Sequence, residues 1–575
     1  MTVGQVSGIG GNGGVNGGGG GAGGGGNATK ASGTGGDFGG GGGGGQESGG
    51  TITTGGQGGY GAGGGGGTGV AGFGGGTGGA IDVGGNGGDG LGGAIFVRTG
   101  GSITLINVEV SGSTATAGAA GTGGAASAGS ASGGGFYSDS VNVTCNVAGA
   151  DTHSSTLGGT GDLIKSGTGT LTLSAANTYT GTTTVNTGVI NVQNNTGLGT
   201  IAGATSVAND GAALEFQGGI TVGAEALTLN GSGVDNAGSL RSISGNNSLS
   251  GAITLNTDAS INSDLNTLTL SGNIGGAGRD LSVGGEGNTA ISGIIGTGTG
   301  TLTKAGNGIL TLSDVNTYQG GTAVNGGTLS VSADNNLGNA AGDLSFNGGT
   351  LQYSAGFVST RGITVNAGGG TVDTNGIDSE LSGDIAGAGA LTKSGNGTLT
   401  LSGTNTYAGG TTIGAGTLSV GADNNLGNGA GTVIFSGGTL QYSGGFDTGR
   451  DMTVNAGGGT VDTNGNDSEL SGDIAGVGAL TKSGNGTLTL SGTNTYAGGT
   501  TIGVGTLSVG ADNNLGNGAG TVTFSGGTLH YSGAFDTARD MTVNAGGGTV
   551  DTNGNDSELS GDIAGVGALT KSGNG

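Results

Sequence analysis

Few side chains in this sequence could act as a nucleophile or as a general base. The chain has one cysteine, Cys145, and two histidines, His153 and His530. A Cys–His pair could supply a thiolate nucleophile, and His153 is the nearer partner for Cys145. His530 stands where the neighbouring repeat copy carries Gln441, which is typical of a tolerated surface position. The sequence therefore predicts no catalytic residue, no cofactor-binding residue and no enzymatic activity.

Calcium is the small ligand for which the sequence holds the best candidate residues. One run places oxygen-bearing side chains at nearly alternate positions, as the first part of a hard-cation loop does. The run recurs 89 residues later, around Asp551 and Asp556, whereas the earlier copy has Ile377 at a ligand position. An Asx-rich turn between two coils explains the same residues without a metal. The candidate calcium ligands are Asp462, Asn464, Asn466, Asp467, Glu469 and Asp473.

The composition excludes several classes of protein. Glycine accounts for 158 of 575 residues, proline is absent, and charged residues make up only 9%. Disordered chains usually carry more proline and more charge, and glycine does not recur at every third position as it does in collagen. Because only 3% of the residues are aromatic, the chain must bury many small side chains in a thin core. The net charge of −25 disfavours nucleic acids and anionic lipid surfaces as partners.

A long internal repeat decides the fold class. Lys393, Lys482 and Lys571 are each 89 residues apart, and residues 391–479 differ from residues 480–568 at five positions. Within one such module, Gly-Thr followed by Leu or Val recurs with gaps of 19, 22, 21 and 27 residues. Most of these recurrences start a short run of alternating polar and apolar residues, as in a strand with one buried face. Such strands cannot bury that face alone, so they must stack on one another.

These features predict an all-β fold, a parallel β-solenoid with a glycine-rich N-terminal tract. The absence of proline fits this fold, because proline would remove a hydrogen-bond donor from the ladder. We expect residues 1–91 to form a glycine-rich low-complexity tract, and residues 92–157 to form irregular N-terminal β-helix coils with a small-residue linker. We expect residues 158–575 to form the repeat region, with about four coils to each 89-residue module and a truncation at the C-terminus.

The modules resemble the autotransporter-associated β-strand repeat. Three ordered submotifs carry the resemblance: Gly-Thr-Leu-Thr-Leu-Ser-Gly at 397–403, Asn-Thr-Tyr-Ala-Gly-Gly-Thr-Thr at 405–412 and Gly-Thr-Leu-Ser-Val at 416–420. Further copies lie at 308–330, 486–509 and, in a more divergent form, 169–192. The resemblance implies a right-handed parallel β-helix passenger exported through the outer membrane of a Gram-negative bacterium. It also implies an extracellular or cell-surface location, with anchoring through a C-terminal β-barrel translocator that is absent from this chain.

On this basis the sequence predicts a non-enzymatic surface or secreted passenger that acts as a structural stalk or adhesin. The expected partners are a host or neighbouring-cell surface, extracellular matrix or polysaccharide, and the passenger's own translocator. No stretch of 18 apolar residues occurs, so no transmembrane segment is expected. The alternative is a β-helix polysaccharide hydrolase or lyase, for which Lys393 is the obvious base. The recurrence of this lysine in every module favours a structural role instead.

Overall fold

The computed structural model describes residues 90–91, 95–97, 103–113, 131–132 and 134–575. Regular structure in these residues consists of 55 short β-strands and four short 3-10 turns, and no α-helix occurs among them. The strands pair in parallel from one coil to the next, for example at residues 398–401 and 417–420. The predicted all-β parallel solenoid is thus confirmed. Most of the predicted glycine-rich tract, residues 1–91, lies outside the described residues.

Contacts divide the chain into two units, residues 1–274 and 275–575. This boundary differs from the predicted domain boundaries after residues 91 and 157, which stay predictions. The first unit also contains one 3-10 turn at Val234–Asn236. Its strands are β1 (Gly90–Leu91), β2 (Ile95–Val97), β3 (Ile103–Ile106), β4 (Ala131–Ser132), β5 (Phe136–Ser138), β6 (Val143–Asn146), β7 (Ala150–His153), β8 (Leu157–Gly159), β9 (Leu163–Ser166), β10 (Thr170–Leu173), β11 (Thr183–Val185), β12 (Gly188–Val192), β13 (Thr205–Val207), β14 (Ala212–Gln217), β15 (Thr221–Val222), β16 (Leu227–Gly231), β17 (Leu240–Ser244), β18 (Asn247–Leu249), β19 (Ile253–Ser263) and β20 (Thr267–Leu270), and β21 (Ile274–Gly275) straddles the boundary.

The second unit contains three 3-10 turns of identical sequence, at Asp334–Leu337, Asp423–Leu426 and Asp512–Leu515. Its strands are β22 (Leu281–Gly284), β23 (Asn288–Ile291), β24 (Ile295–Gly296), β25 (Leu302–Lys304), β26 (Ile309–Leu312), β27 (Thr322–Val324), β28 (Thr328–Val331), β29 (Leu344–Phe346), β30 (Thr350–Tyr353), β31 (Val358–Ser359), β32 (Ile363–Val365), β33 (Gly370–Asp373), β34 (Ser379–Leu381), β35 (Ile385–Ala386), β36 (Leu391–Ser394), β37 (Thr398–Leu401), β38 (Thr411–Ile413), β39 (Thr417–Val420), β40 (Val433–Phe435), β41 (Thr439–Tyr442), β42 (Met452–Val454), β43 (Gly459–Asp462), β44 (Ser468–Leu470), β45 (Ile474–Gly476), β46 (Leu480–Ser483), β47 (Thr487–Leu490), β48 (Thr500–Ile502), β49 (Thr506–Val509), β50 (Val522–Phe524), β51 (Thr528–Tyr531), β52 (Met541–Val543), β53 (Gly548–Asp551), β54 (Ile563–Gly565) and β55 (Leu569–Ser572).

The core of each unit is a set of apolar columns that run from coil to coil. In the first unit, one column joins Leu171, Ile190, Leu214 and Leu240 through successive register partners. All four side chains are fully buried. Burying a side chain of this size stabilises the fold by roughly 1.5–3 kcal/mol. Because each strand contributes only one or two such residues, stability depends on the stacking of many coils and not on any single one.

In the second unit, the same sequence element moves to a new sheet in each module. The Leu-Thr-Lys-Ser strand β36 pairs within the sheet that contains β33 and β38, whereas its copy β46 pairs within the sheet that contains β43 and β48. The third copy, β55, pairs with β53 in a further sheet. Equivalent strands of successive modules therefore lie in three different sheets.

An extra strand in each module causes this change of sheet. Between β43 and β46 the chain passes through β44 and β45, which belong to two other sheets, so this coil visits three sheets in turn. The extra strand falls within the longest of the four sequence gaps, the one of 27 residues. Each module thus ends with a coil of three strands, after which the equivalent strands of the next module lie in the neighbouring sheet. The sequence period predicted the module but not this rotation.

Close stacking explains why glycine occupies many turn positions. A Cβ placed on Gly472 would lie 2.2 Å from the backbone oxygen of Arg450 on the preceding coil. Real Cβ atoms do not approach a backbone oxygen so closely, so any other residue would push the two coils apart. Gly518, by contrast, lies at an exposed turn where an added Cβ would meet nothing within 4 Å.

Candidate functional site

A buried lysine recurs at the equivalent corner of four coils, at residues 165, 304, 393 and 482. The Lys393 ammonium donates hydrogen bonds to the carbonyl oxygens of Ser394 at 2.9 Å, Gly395 at 2.7 Å and Ala415 at 3.1 Å. Burial lowers the pKa of Lys393 to about 8, so the amine is charged at neutral pH and can donate all three bonds. The same arrangement surrounds the lysines at 165, 304 and 482. These lysines cap turns, which is the structural role that their recurrence favoured.

A buried arginine closes each Asp-Asn-Asn-Leu turn. The Arg450 guanidinium pairs with the Asp423 carboxylate, at 2.7 Å from Nε to Oδ1 and 3.1 Å from Nη2 to Oδ2. It also donates to the backbone oxygens of Asp423, Gly427, Asn428 and Gly431. The arginine side chain is 1% exposed and the aspartate side chain 36% exposed. Copies of the pair stand at Arg361–Asp334 and Arg539–Asp512.

Buried hydroxyl and amide groups brace the same coils. The Tyr407 hydroxyl lies 2.7 Å from Thr411 Oγ1 in the interior. The Asn405 amide donates to the backbone oxygen of Asn425 at 2.6 Å and accepts from the backbone nitrogen of Ile385 at 2.8 Å. Each of these contacts joins positions that recur 89 residues later. These interior polar groups therefore serve the stacking of coils, in line with the rule that most buried polar groups in proteins are hydrogen-bonded.

The structure places the predicted calcium ligands along two coil edges, where they bond to the protein itself. Asp467 accepts from the backbone nitrogen of Thr487 at 2.6 Å, and Asp473 accepts from that of Thr493 at 2.8 Å. The other candidates bond likewise: Asp462 accepts from Asn464 N and Gln441 Nε2, Asn466 donates to Tyr442 O and Thr463 O, and Glu469 accepts from the Ser491 hydroxyl.

These contacts bear on the calcium prediction without testing it. Among the described residues, no group of three or more His, Cys, Asp or Glu side chains has the arrangement needed to hold a metal ion. Calcium binding at Asp462 to Asp473 stays a prediction. A melting curve recorded with calcium and again with a chelator tests it, because a bound ion raises the melting temperature.

Cys145 and His153 are both buried in the first unit. Burial raises the pKa of the Cys145 thiol to about 12, so it is protonated at neutral pH and is a weak nucleophile. Burial also lowers the pKa of His153, whose Nε2 lies 3.0 Å from the carbonyl oxygen of Val108. His530 lies on an outward strand position, 3.3 Å from the Ser508 hydroxyl. Cys145 faces the next coil's Lys165 in strand register.

A surface groove on the second unit was not anticipated from the sequence. It has a volume of about 460 Å³ and lies beside strands β31, β34 and β37. The half-buried Phe357 ring forms part of it and packs on Tyr353, with ring centroids 4.6 Å apart. The recurrence of Phe four residues after Tyr, at 357, 446 and 535, was the available sequence signal. Its walls include Phe357, Val358, Asp378, Ser379, Glu380 and Thr398.

The fold and the recurring polar braces define a β-solenoid repeat protein, and comparison with known proteins finds matches to its repeats. The Passenger-associated-transport-repeat family matches four segments, residues 163–192, 302–331, 391–420 and 480–509. A 109-residue stretch is 39% identical to the protein named Adhesin BmaC autotransporter from Brucella suis biovar 1 (strain 1330). That stretch is 18% of this chain and 3% of the Brucella protein, so the chain matches only a small part of its relative.

These matches agree with the resemblance found in the sequence: the chain carries the repeats of an autotransporter passenger. No solved structure matches it. In the part of the chain that the structure describes, no helix has the length and apolar character needed to cross a membrane.

Proposed function

We propose that this chain is a stalk-like adhesive segment of an autotransporter passenger, displayed outside the cell. The observation that carries the proposal is the use of buried polar groups to brace coils. The Lys393 ammonium and the Arg450 guanidinium both bond to carbonyl oxygens of neighbouring turns. Both have copies in other modules, so the charged interior groups form a repeated scaffold. A spacer gains from such repetition, because each coil is held mainly by its neighbours.

The name of the Brucella relative supports the adhesive part of the proposal. The expected partners are the surface of a host or neighbouring cell, extracellular matrix or polysaccharide. The passenger's own translocator would anchor it to the outer membrane. The proposal includes a non-enzymatic role, in keeping with the buried and protonated Cys145 thiol.

Adhesion of beads under flow tests this function. The full chain is coupled to beads, which are passed over epithelial monolayers and over surfaces coated with collagen or polysaccharide. We expect more beads to be retained than with the same chain after thermal unfolding. Equal retention of both bead types on every surface would contradict the adhesive role.

A turnover assay separates this function from the enzymatic alternative. The same chain is incubated with polysaccharides, and reducing ends and unsaturated uronates are measured. We expect no increase over buffer. A product signal that disappears on changing a single carboxylate would replace the adhesive proposal with hydrolysis or lysis.

A further inference from the structure

Glu225 is a buried acidic residue of the first unit, and only 4% of it is exposed. It stands two residues before strand β16, where the coils before and after carry Gly203 and Gly251. Close stacking requires glycine in those two coils, because an added Cβ would lie 2.0 and 1.7 Å from a backbone oxygen. A long acidic side chain at the same position therefore needs a separate explanation.

The second unit carries arginine at this position. Arg361 lies two residues before β32 and pairs with the Asp334 carboxylate. Its guanidinium also donates to the backbone oxygens of Gly338 and Gly342 in the preceding coil, both at 2.8 Å. The next two modules repeat this pair. A side chain at this position can therefore reach the turn of the preceding coil and brace it.

Contacts in the preceding coils show that the glutamate and the arginine occupy equivalent positions. A Cβ added to Gly199 would lie 2.5 Å from the backbone oxygen of Tyr179, and one added to Gly338 would lie 2.7 Å from that of Tyr318. Each tyrosine hydroxyl also bonds to the threonine four residues further on, at 2.6 and 2.7 Å. The turn that precedes the glutamate thus matches the turn that the arginine braces.

The glutamate has none of the charged partners of the arginine. Among the described residues its carboxyl group has one hydrogen-bond partner, the Thr205 hydroxyl at 2.8 Å. Residues 194–209 of the preceding coil, the rest of 221–231 and residues 245–257 of the following coil contain no titratable side chain. Burial, and to a smaller extent the charge of Glu225, raises the pKa of Tyr179. Burial raises the pKa of Glu225 itself to about 7.

We propose that Glu225 is a proton-operated brace, which holds its coil on the preceding one when protonated and releases it when ionised. A protonated carboxyl can accept from Thr205 with one oxygen and donate from the other to a carbonyl oxygen of the turn at 194–203. A carboxylate can only accept, so it lacks a donor for those carbonyl oxygens and gains by opening to water. This device does not depend on the proposed adhesive function.

The direction of the pH effect follows from the two pKa values. The folded value of about 7 lies above the unfolded value of about 4.5, so the folded coil binds the proton more tightly. The contribution of Glu225 is fully present below pH 4.5 and is lost as the pH rises through 7. Between pH 5 and pH 8, we expect the opening equilibrium of residues 205–253 to rise about 10- to 100-fold.

Hydrogen exchange of the full chain, corrected for the intrinsic pH dependence of amide exchange, measures this opening. We expect protection of residues 205–253 to fall by that factor from pH 5 to pH 8. Glu225→Gln keeps an acceptor oxygen and an N–H donor at every pH, so its protection should stay constant. Asp162→Asn is the matched control: it removes a carboxylate from the same unit and retains the acceptor for the Thr182 nitrogen. Its protection should fall as in the unchanged chain.

Constant protection in the unchanged chain would overturn the proposal. The same pH-dependent fall in Glu225→Gln would also overturn it, and so would equal flattening of the pH profile by Asp162→Asn. Infrared difference spectra of the unchanged chain and Glu225→Gln give a second readout at pH 6, where exposed acids are ionised. We expect the spectrum of a protonated carboxyl group. A carboxylate spectrum alone would contradict the proposal.

Discussion

Replacing Arg450 with methionine should reduce the stability of one module far more than replacing an exposed arginine would. Methionine fills much of the same volume but removes the pair with Asp423 and the bonds to four backbone oxygens. Breaking a buried ion pair from one side costs about 3–5 kcal/mol. Because the Asp423 side chain is 36% exposed and can regain water, we expect about 3 kcal/mol, at the lower end of that range.

Hydrogen exchange followed by mass spectrometry measures this cost locally. A loss of about 3 kcal/mol corresponds to roughly 100-fold faster exchange of the amides in the coils around Arg450. Ile434 and Thr523 distinguish the peptides of this module from those of the next, so the module of Arg539 serves as an internal reference. Its exchange should change little, because neighbour coupling falls off along a stack of repeats.

Arg241→Met is the matched control. Arg241 is 32% exposed and pairs with Asp264 at 2.6 Å, so its loss should cost less than about 1 kcal/mol. If Arg450→Met accelerates exchange no more than Arg241→Met does, the arginine is not a brace and the reasoning is refuted.

Three further predictions concern packing and charge. Gly472→Ala should lower the melting temperature by several degrees, because its Cβ would meet the Arg450 carbonyl at 2.2 Å, whereas Gly518→Ala should leave it unchanged; equal shifts would contradict the close stacking of coils. Leu440→Ala, at a fully buried position, should lower the free energy of unfolding by about 2–5 kcal/mol, as measured in urea. The outward-facing Thr439→Ala should change it by no more than about 0.5 kcal/mol. A small effect of the leucine change would argue against the core column. Burial raises the pKa of Tyr407 and Tyr496 to about 12, above the unfolded value of about 10, so their contribution is fully present below pH 10 and is lost as the pH rises beyond it. The 295 nm tyrosinate absorbance lost in a Tyr407→Phe, Tyr496→Phe variant should therefore appear together with loss of the β-sheet signal, and a difference between the two proteins already near pH 10 would show that these rings are exposed.

Much of the fold could be predicted from spacing alone. The alternation in Thr398-Leu399-Thr400-Leu401 predicted which side chains point inward, and both leucines are fully buried. The recurrence of Lys393 predicted a structural lysine, and its ammonium caps a turn. These features are local, because they depend on side-chain alternation and on repetition.

The features that the sequence left open depend on how distant coils meet. The period of 89 residues does not reveal which strand follows which in a sheet, so the shift of β46 to the neighbouring sheet became visible only in the structure. Arg450 lies 27 residues from Asp423, a separation that has meaning only once the coil length is known. The groove at Phe357 is formed by residues from different coils, so no single sequence motif predicts it.

The strand register at a module boundary tests the central claim most directly. Thr460 and Thr481 are register partners on adjacent coils, while Thr487 pairs with Thr506 in a different sheet. Neighbouring parallel strands lie close enough for a disulfide between outward positions. Oxidation of a Thr460→Cys, Thr481→Cys variant should give a disulfide-linked peptide by mass spectrometry, and a Thr460→Cys, Thr487→Cys variant should give none. A cross-link in the second variant and not in the first would contradict the stacking and rotation of the coils.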